Sequence, residues 1–138
     1  MRILHRLGLL LGAVVLTGCQ GAGSFPGVTP FAVDGAAIYT DNCMACHGGS
    51  GHGDGVMAPG LPVPPADLTQ LAAHNGGVFP RDRVIAFVYG APGQGHVMPD
   101  FGSRLDGGVV VHETPDGARL PTPAGLLALV DYIETLQQ

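Results

Sequence analysis

The sequence predicts an all-α domain over residues 34–138, built from about four helices, with one small β-hairpin inserted before the last helix. Three observations lead there. Leu126, Leu129, Val130, Ile133 and Leu136 recur at helical spacing near the C-terminus. Helix start and stop signals at Asp34, Asp67/Gln70 and Gly90 bracket shorter segments upstream. Only residues 109–120 read as extended chain around a turn.

The first helix is predicted from about Asp34 to Cys46. Asp34 is placed to cap free N–H groups, and Ala36, Ala37, Ile38 and Tyr39 follow. Asp67 and Gln70 have the spacing of a capping box, which predicts a short helix to about Ala73. A third helix spans Arg81 to Tyr89, with Val84, Ile85 and Val88 on one face and Gly90 as its stop. Val109-Val110-Val111-His112-Glu113 and Ala118-Arg119-Leu120 flank the turn Thr114-Pro115-Asp116-Gly117. Thr122 is then read as the cap of the last helix, with Pro123 in its first turn.

Residues 1–18 stand apart from this domain. Arg2, His5 and Arg6 precede the apolar run Leu7 to Leu16, which has the length of a secretory signal. A bilayer-spanning helix needs about 20 apolar residues, more than this run holds. Leu16-Thr17-Gly18-Cys19 resembles the lipobox of bacterial lipoproteins. That resemblance implies cleavage before Cys19 and acylation of its thiol, with dual chains giving stable anchoring. Gln20 after the cysteine resembles the outer-membrane sorting signal, which favours the outer membrane over the inner. Residues 19–33 then form a lipidated N-terminus and a Gly/Pro-rich linker.

Charge excludes some classes of partner. Without residues 1–18 the basic residues are Arg81, Arg83, Arg104 and Arg119, against 11 Asp and Glu, and the sequence has no lysine. Nucleic-acid binding and polybasic membrane binding both need clustered cations. Composition poses a second question. With 23 Gly, 12 Pro and no Trp in 138 residues, side chains alone make a thin core. A flat apolar cofactor would complete it.

Cys43-Met44-Ala45-Cys46-His47 names that cofactor. C-x-x-C-H is the attachment signature of c-type haem, two thiols for the porphyrin vinyl groups and an imidazole for the iron. Three other uses of the cysteines compete: a zinc site with His47 and His52, a thioredoxin-like pair, and a structural disulfide. The first lacks an intervening finger and the second lacks a βαβ context.

From Gly35 to Leu136 the sequence resembles the class I cytochromes c, monohaem electron carriers with His/Met-ligated iron. Gly35 and Tyr39 are similar to the glycine and aromatic of the family's N-terminal helix, and Leu129 and Tyr132 to the C-terminal helix residues that cross them. Ala58-Pro59-Gly60-Leu61 resembles the loop whose proline carbonyl accepts a hydrogen bond from the ligand imidazole, which assigns that role to Pro59. Val97-Met98-Pro99-Asp100-Phe101 is similar to the distal-ligand loop. Met98 is thereby implied as the second axial ligand opposite His47, and His96 is its competitor. His52, His74 and His112 are read as solvated.

The resemblance implies one covalent haem c and no catalysis. The expected role is one-electron transfer between redox proteins, at the periplasmic side of a bacterial membrane, with no small-molecule substrate. Two alternatives stand beside it: a haem subunit of a larger dehydrogenase or oxidase, and a peroxidase or gas binder should Met98 be labile.

Overall fold

Asp34 begins the first helix as predicted. Its carboxylate accepts from the backbone N–H groups of Ala36 at 3.0 Å and Ala37 at 3.2 Å, donors with no partner inside the helix. Helix α1 runs over Gly35–Asn42. The structure is a computed structural model that describes residues 33–90, 97–102, 104–105 and 107–138. The predicted signal segment, Cys19, the linker up to residue 32 and His96 lie outside the described residues.

The single helix expected from Asp34 to Cys46 is divided at Cys43, where φ is −118°, and a one-turn helix α2 covers Met44–His47. Hydrogen bonding continues across the break. Cys43 N–H donates to the Tyr39 carbonyl at 2.8 Å and His47 N–H to the Cys43 carbonyl at 2.9 Å. Thr40 and Asn42 turn their side chains back onto the carbonyls of Ala36 and Ile38, a contact that bends helices.

The helix expected over 67–73 is replaced by two 3₁₀ turns, Leu68–Gln70 and Ala73–Asn75. Asp67 does cap, accepting from the Thr69 N–H at 2.9 Å. Gln70 leaves the box open, because its amide donates to the Thr69 hydroxyl at 3.2 Å. The deciding contact comes from the far end of the chain. Gln137 Nε2 donates to the Leu68 carbonyl at 2.7 Å, and Gln137 Oε1 accepts from the Ala72 N–H at 2.9 Å. Those two backbone groups are the pair an α-helical turn would join to each other. The glutamine amide stands between them.

Helix α3, Arg81–Tyr89, ends at Gly90, whose φ of +104° suits only a residue without Cβ. The hairpin forms as predicted, with β1 (Val109–Glu113) antiparallel to β2 (Arg119–Pro123). Its second strand is longer than expected and takes up Thr122, which pairs with Val110. Thr122 therefore does not cap the last helix; its hydroxyl donates to the Leu120 carbonyl at 3.2 Å. Helix α4, Ala124–Thr135, follows directly, with the Ala124 N–H bonded to the Gly108 carbonyl at 2.9 Å.

Helix α4 is the centre of the packing, against α1 on one side and α3 on the other. Leu126, Leu129, Val130 and Ile133 of the predicted stripe are buried there with Tyr39, Val84, Val88, Phe101 and Leu105. Each fully buried large aliphatic side chain contributes about 1.5–3 kcal/mol. Arg81 joins α3 to α4 through Asp131 and through Glu134 at 3.0 Å. His112 is not solvated as expected: its Nε2 donates to Asp82 on α3 at 2.7 Å and ties the hairpin down. His52 and His74 are exposed, in line with their reading. No described helix is long and apolar enough to cross a membrane.

Candidate haem-binding site

The turn from Cys43 to His47 sets the site. Positions three and four apart share one face of a helix, so a cysteine followed by another at i+3 and a histidine at i+4 projects three side chains together. All three line one apolar cavity. The loop after α2 folds back to hold that turn in place. Gly53 N–H donates to the His47 carbonyl at 2.8 Å, Gly55 N–H to Cys46 at 3.1 Å and Met57 N–H to Ala45 at 2.9 Å. These bonds satisfy helix-end carbonyls that would otherwise lack partners.

The cavity has two adjoining lobes of about 270 and 430 Å³, and both are walled by Cys43, His47, Ala66, Phe87 and Met98. Leu61, Val63, Pro64 and Pro65 close one side, while Leu68, Leu71, Val84, Leu129 and Ile133 close the other. Cofactor pockets commonly enclose about 300–1,000 Å³ behind mainly apolar walls. The chain carrying Met98 is fixed to the end of α3. Phe101 N–H donates to the Val88 carbonyl at 3.0 Å and Gly102 N–H to Tyr89 at 3.1 Å.

His47 has its orientation set from the loop, by a residue other than the one predicted. Its Nδ1–H donates to the carbonyl of Ala66 at 3.0 Å. Pro59 was expected in that role, but it sits in a 3₁₀ turn, Ala58–Gly60, and is exposed. The reason is the course of the loop: Pro64-Pro65 stiffen the chain beside the cavity, and Ala66, seven residues after Pro59, presents the carbonyl. With Nδ1 committed as a donor, Nε2 keeps the lone pair a metal needs.

Burial shifts both kinds of donor. The Cys43 thiol is pushed up to about 11, first by removal from water and then by the neighbouring Cys46. The same loss of hydration lowers the His47 imidazole, and the bond to Ala66 offsets part of that. A lowered imidazole stays neutral at physiological pH, the form that ligates metals. Cys43 and Cys46 are not joined in a disulfide. Among the described residues, no cluster of three or more His, Cys, Asp and Glu side chains is arranged to hold a bare metal ion, as the zinc reading would need. Two thiols, one neutral imidazole and a thioether around an apolar slot fit a metalloporphyrin.

Comparison with known proteins identifies the family. The family model described as cytochrome c matches residues 32–137. A cbb3-type cytochrome c oxidase subunit, FixP of Azorhizobium caulinodans, is 30% identical over 115 residues, which are 83% of this chain and 30% of the relative. The chain thus spans less than a third of that relative's length. No solved structure matches significantly.

Proposed function

The chain belongs to the cytochrome c family, whose members hold haem c covalently, and from that premise we propose that it carries one electron on a haem bound by Cys43, Cys46, His47 and Met98. One observation supports this reading above the others: those four residues line a single apolar cavity. When bound, haem c supplies an iron that takes up and releases one electron.

The chain's own residues determine how well it does so. Cys43 and Cys46 provide thioether links that keep the group from leaving. His47 offers Nε2, held at a fixed angle by the Ala66 carbonyl. Met98, which lines the same cavity, offers a thioether, a ligand that raises the reduction potential relative to a second imidazole. Leu68, Leu71, Phe87, Leu129 and Ile133 exclude water. A low-dielectric wall penalises the form with the extra charge on iron and so also raises the potential. With His47 and Met98 both holding the iron, no position would remain for a substrate, and the bound haem would serve electron transfer alone.

The placement of the domain belongs to the same proposal. Lipidation at Cys19 would hold it at the periplasmic side of a bacterial membrane, with 19–33 as tether; the motif Leu16-Thr17-Gly18-Cys19 supports this, and Gln20 favours the outer membrane. A tether of that length spans about 20 Å on average. A second reading, a haem subunit within a larger oxidase, is favoured by the similarity to FixP.

The test is expression of the full chain with a haem-ligation system. The expected result is a haem that survives denaturation, a mature N-terminus at acylated Cys19, and a sulfur-to-iron absorption band. Met98→Ala is expected to remove that band, lower the potential and admit exogenous ligands. A band unchanged in Met98→Ala would assign the ligand to another residue, His96 first. A high-spin spectrum in the unaltered protein would favour catalysis or gas binding instead.

A further inference from the structure

From the open edge of the hairpin we infer that a second copy of this chain pairs with it, β1 against β1, closing a four-stranded sheet across a two-fold dimer. The backbone shows which groups are left over. Bonded and unbonded pairs alternate along an antiparallel ladder. Thr114 N–H donates to the Ala118 carbonyl and Ala124 N–H to the Gly108 carbonyl, each at 2.9 Å. With the register Val110 to Thr122 and His112 to Leu120, the even-numbered residues of β1 are therefore the ones that bond to β2. Val109, Val111 and Glu113 turn their N–H and C=O groups away from it. Among the described residues, none of these three makes a backbone hydrogen bond outside the hairpin.

The two edges of the hairpin differ. On β2 the outward positions are Arg119, Pro121 and Pro123, and the two prolines have no N–H to offer. Proline on an edge strand blocks pairing with another chain. On β1 there is no such block. Val109 and Val111 are 70% and 58% exposed, and both are β-branched residues that favour a strand. His112, bonded to Asp82 at 2.7 Å, holds the hairpin on α3. The edge is thus presented in a fixed shape, and little freedom remains to be lost on pairing.

Three features favour a second β1 as the occupant. Centred on Val111, an antiparallel pair sets Val111 against Val111, Val109 against Glu113 and Val110 against His112, which uses all five residues of each strand. Charge is compatible with that register, since no like charges stand opposite each other. The two Glu113 carboxylates lie at opposite ends of the seam, about 13 Å apart along the strand and beyond the screening length of about 8 Å. Each also has Arg119 across its own hairpin. Closure is the third feature. Both outer edges of the new sheet are β2, so it ends at Pro121 and Pro123 on each side and the assembly stops at two copies. The seam is short. Stable interfaces bury about 1,200–2,000 Å², more than one short strand supplies, so the dimer dissociates on dilution. Anchoring of the copies to one membrane, as proposed above, would favour it.

The experiment uses the haem-loaded full chain. Val111→Cys and Val109→Cys are treated with diamide as oxidant beside the unaltered protein, and covalent dimer is read on a denaturing gel. Across the seam the two positions 111 stand about 5.5 Å apart between Cα atoms, within disulfide reach, whereas the two positions 109 are more than about 13 Å apart. Val111→Cys is expected to give about tenfold more dimer than Val109→Cys, because pairing holds its thiols together rather than leaving them to collide. Exposure alone predicts the reverse, since Val109 is the more exposed. Sedimentation of the unaltered protein in detergent is expected to show monomer giving way to dimer as concentration rises. Val111→Pro removes an N–H that β2 does not use, and is expected to stay monomeric with its haem spectrum unchanged. Should it not accumulate with haem, Val111→Lys is read in its place, with the same expectation. Equal cross-linking at 109 and 111, an unaltered chain that stays monomeric, or a dimer undiminished in the position-111 variant overturns the inference. The inference stands apart from the haem reading, and the two fail separately. A chain that never takes covalent haem defeats that reading, whereas loaded chains that stay single defeat only the dimer.

Discussion

Gly35 of α1 lies against Ala128 of α4 so closely that a Cβ on it would sit 1.9 Å from the Ala128 carbonyl oxygen and 2.5 Å from the carbonyl carbon. Both obstacles are backbone atoms of the most buried helix, so neither can swing away. One turn further along, the rings of Tyr39 and Tyr132 meet with centroids 5.2 Å apart at an interplanar angle of 51°. The crossing that places Cys43 over the cavity depends on that missing methyl group.

Gly35→Ala should therefore destabilise the domain, although alanine is the better helix former by about 1 kcal/mol. Overpacking costs about 1–3 kcal/mol, and here no side chain can yield to reduce it. Denaturant unfolding of the haem-loaded protein should show a net loss of about 1–2 kcal/mol. A midpoint unchanged or raised would mean the two helices do not cross this closely.

Tyr39 makes the stability of the protein sensitive to alkali. Its hydroxyl donates to the Gly48 carbonyl at 2.7 Å in a buried setting. Removal from water, aided by the nearby Cys43, Tyr132 and Asp54, pushes the phenol up to about 12. An unfolded tyrosine ionises near pH 10. Below that the phenol is protonated in both states and its contribution is complete; as pH rises from about 10 through about 12 the unfolded chain gains charge first, and stability falls. Tyr39→Phe should lose about 1 kcal/mol at neutral pH, the net worth of one hydrogen bond, because the Gly48 carbonyl keeps the Gly51 N–H at 3.3 Å. Its stability should also fall less steeply between pH 10 and 12, which unfolding curves at three pH values would show. Parallel curves for the two proteins would remove Tyr39 as the cause.

Sequence patterns were most informative where a local rule and the tertiary structure agree. The stripe from Leu126 to Ile133 is periodic because α4 is packed on two sides, and Asp34 caps because nothing competes for its carboxylate. The failures share one form: a distant partner claims a group that the local rule had assigned. Gln137 takes the carbonyl and N–H that residues 68–72 would have paired in a helix. Val110 of the hairpin takes Thr122 away from the cap position. Asp82, 30 residues away in sequence, takes His112 from solvent. At the site, the C-x-x-C-H spacing is legible because one helical turn carries it. The carbonyl facing His47 depends on the path of a whole loop, so the sequence points to Pro59 where Ala66 serves. The adjacent Pro64-Pro65 pair was the available signal.

The hydrogen bond between His112 and Asp82 should govern how firmly the hairpin stays on α3. The His112 side chain is only 12% exposed and Asp82 42%, so the contact is partly shielded from water. Intramolecular hydrogen bonds contribute about 0.5–1.5 kcal/mol in net terms. A double-mutant cycle with His112→Ala and Asp82→Asn should give a coupling of about 1 kcal/mol. Limited proteolysis should cut faster at the turn Thr114–Ala118 in either single variant. A coupling of zero, with unchanged cleavage, would mean the hairpin is held by its junction with α4 alone.

Gln137 should matter far more than a residue just past a helix end usually does. Its amide bridges the Leu68 carbonyl and the Ala72 N–H, and Nε2 also donates to Ile133 at 2.9 Å. The two bonds across to residues 68–72 hold one cavity wall, Leu68 and Leu71, against the end of α4. Intramolecular hydrogen bonds contribute about 1 kcal/mol each in net terms, so Gln137→Ala should lose about 2 kcal/mol. Gln137→Glu separates geometry from chemistry. A carboxylate still accepts from Ala72 but cannot donate to Leu68, so this variant should be intermediate near neutral pH and improve as acid protonates it. Hydrogen exchange at the Ala72 amide would follow the same order. If that amide exchanges equally in all three proteins, the glutamine is a bystander and the 3₁₀ turns arise from the segment itself.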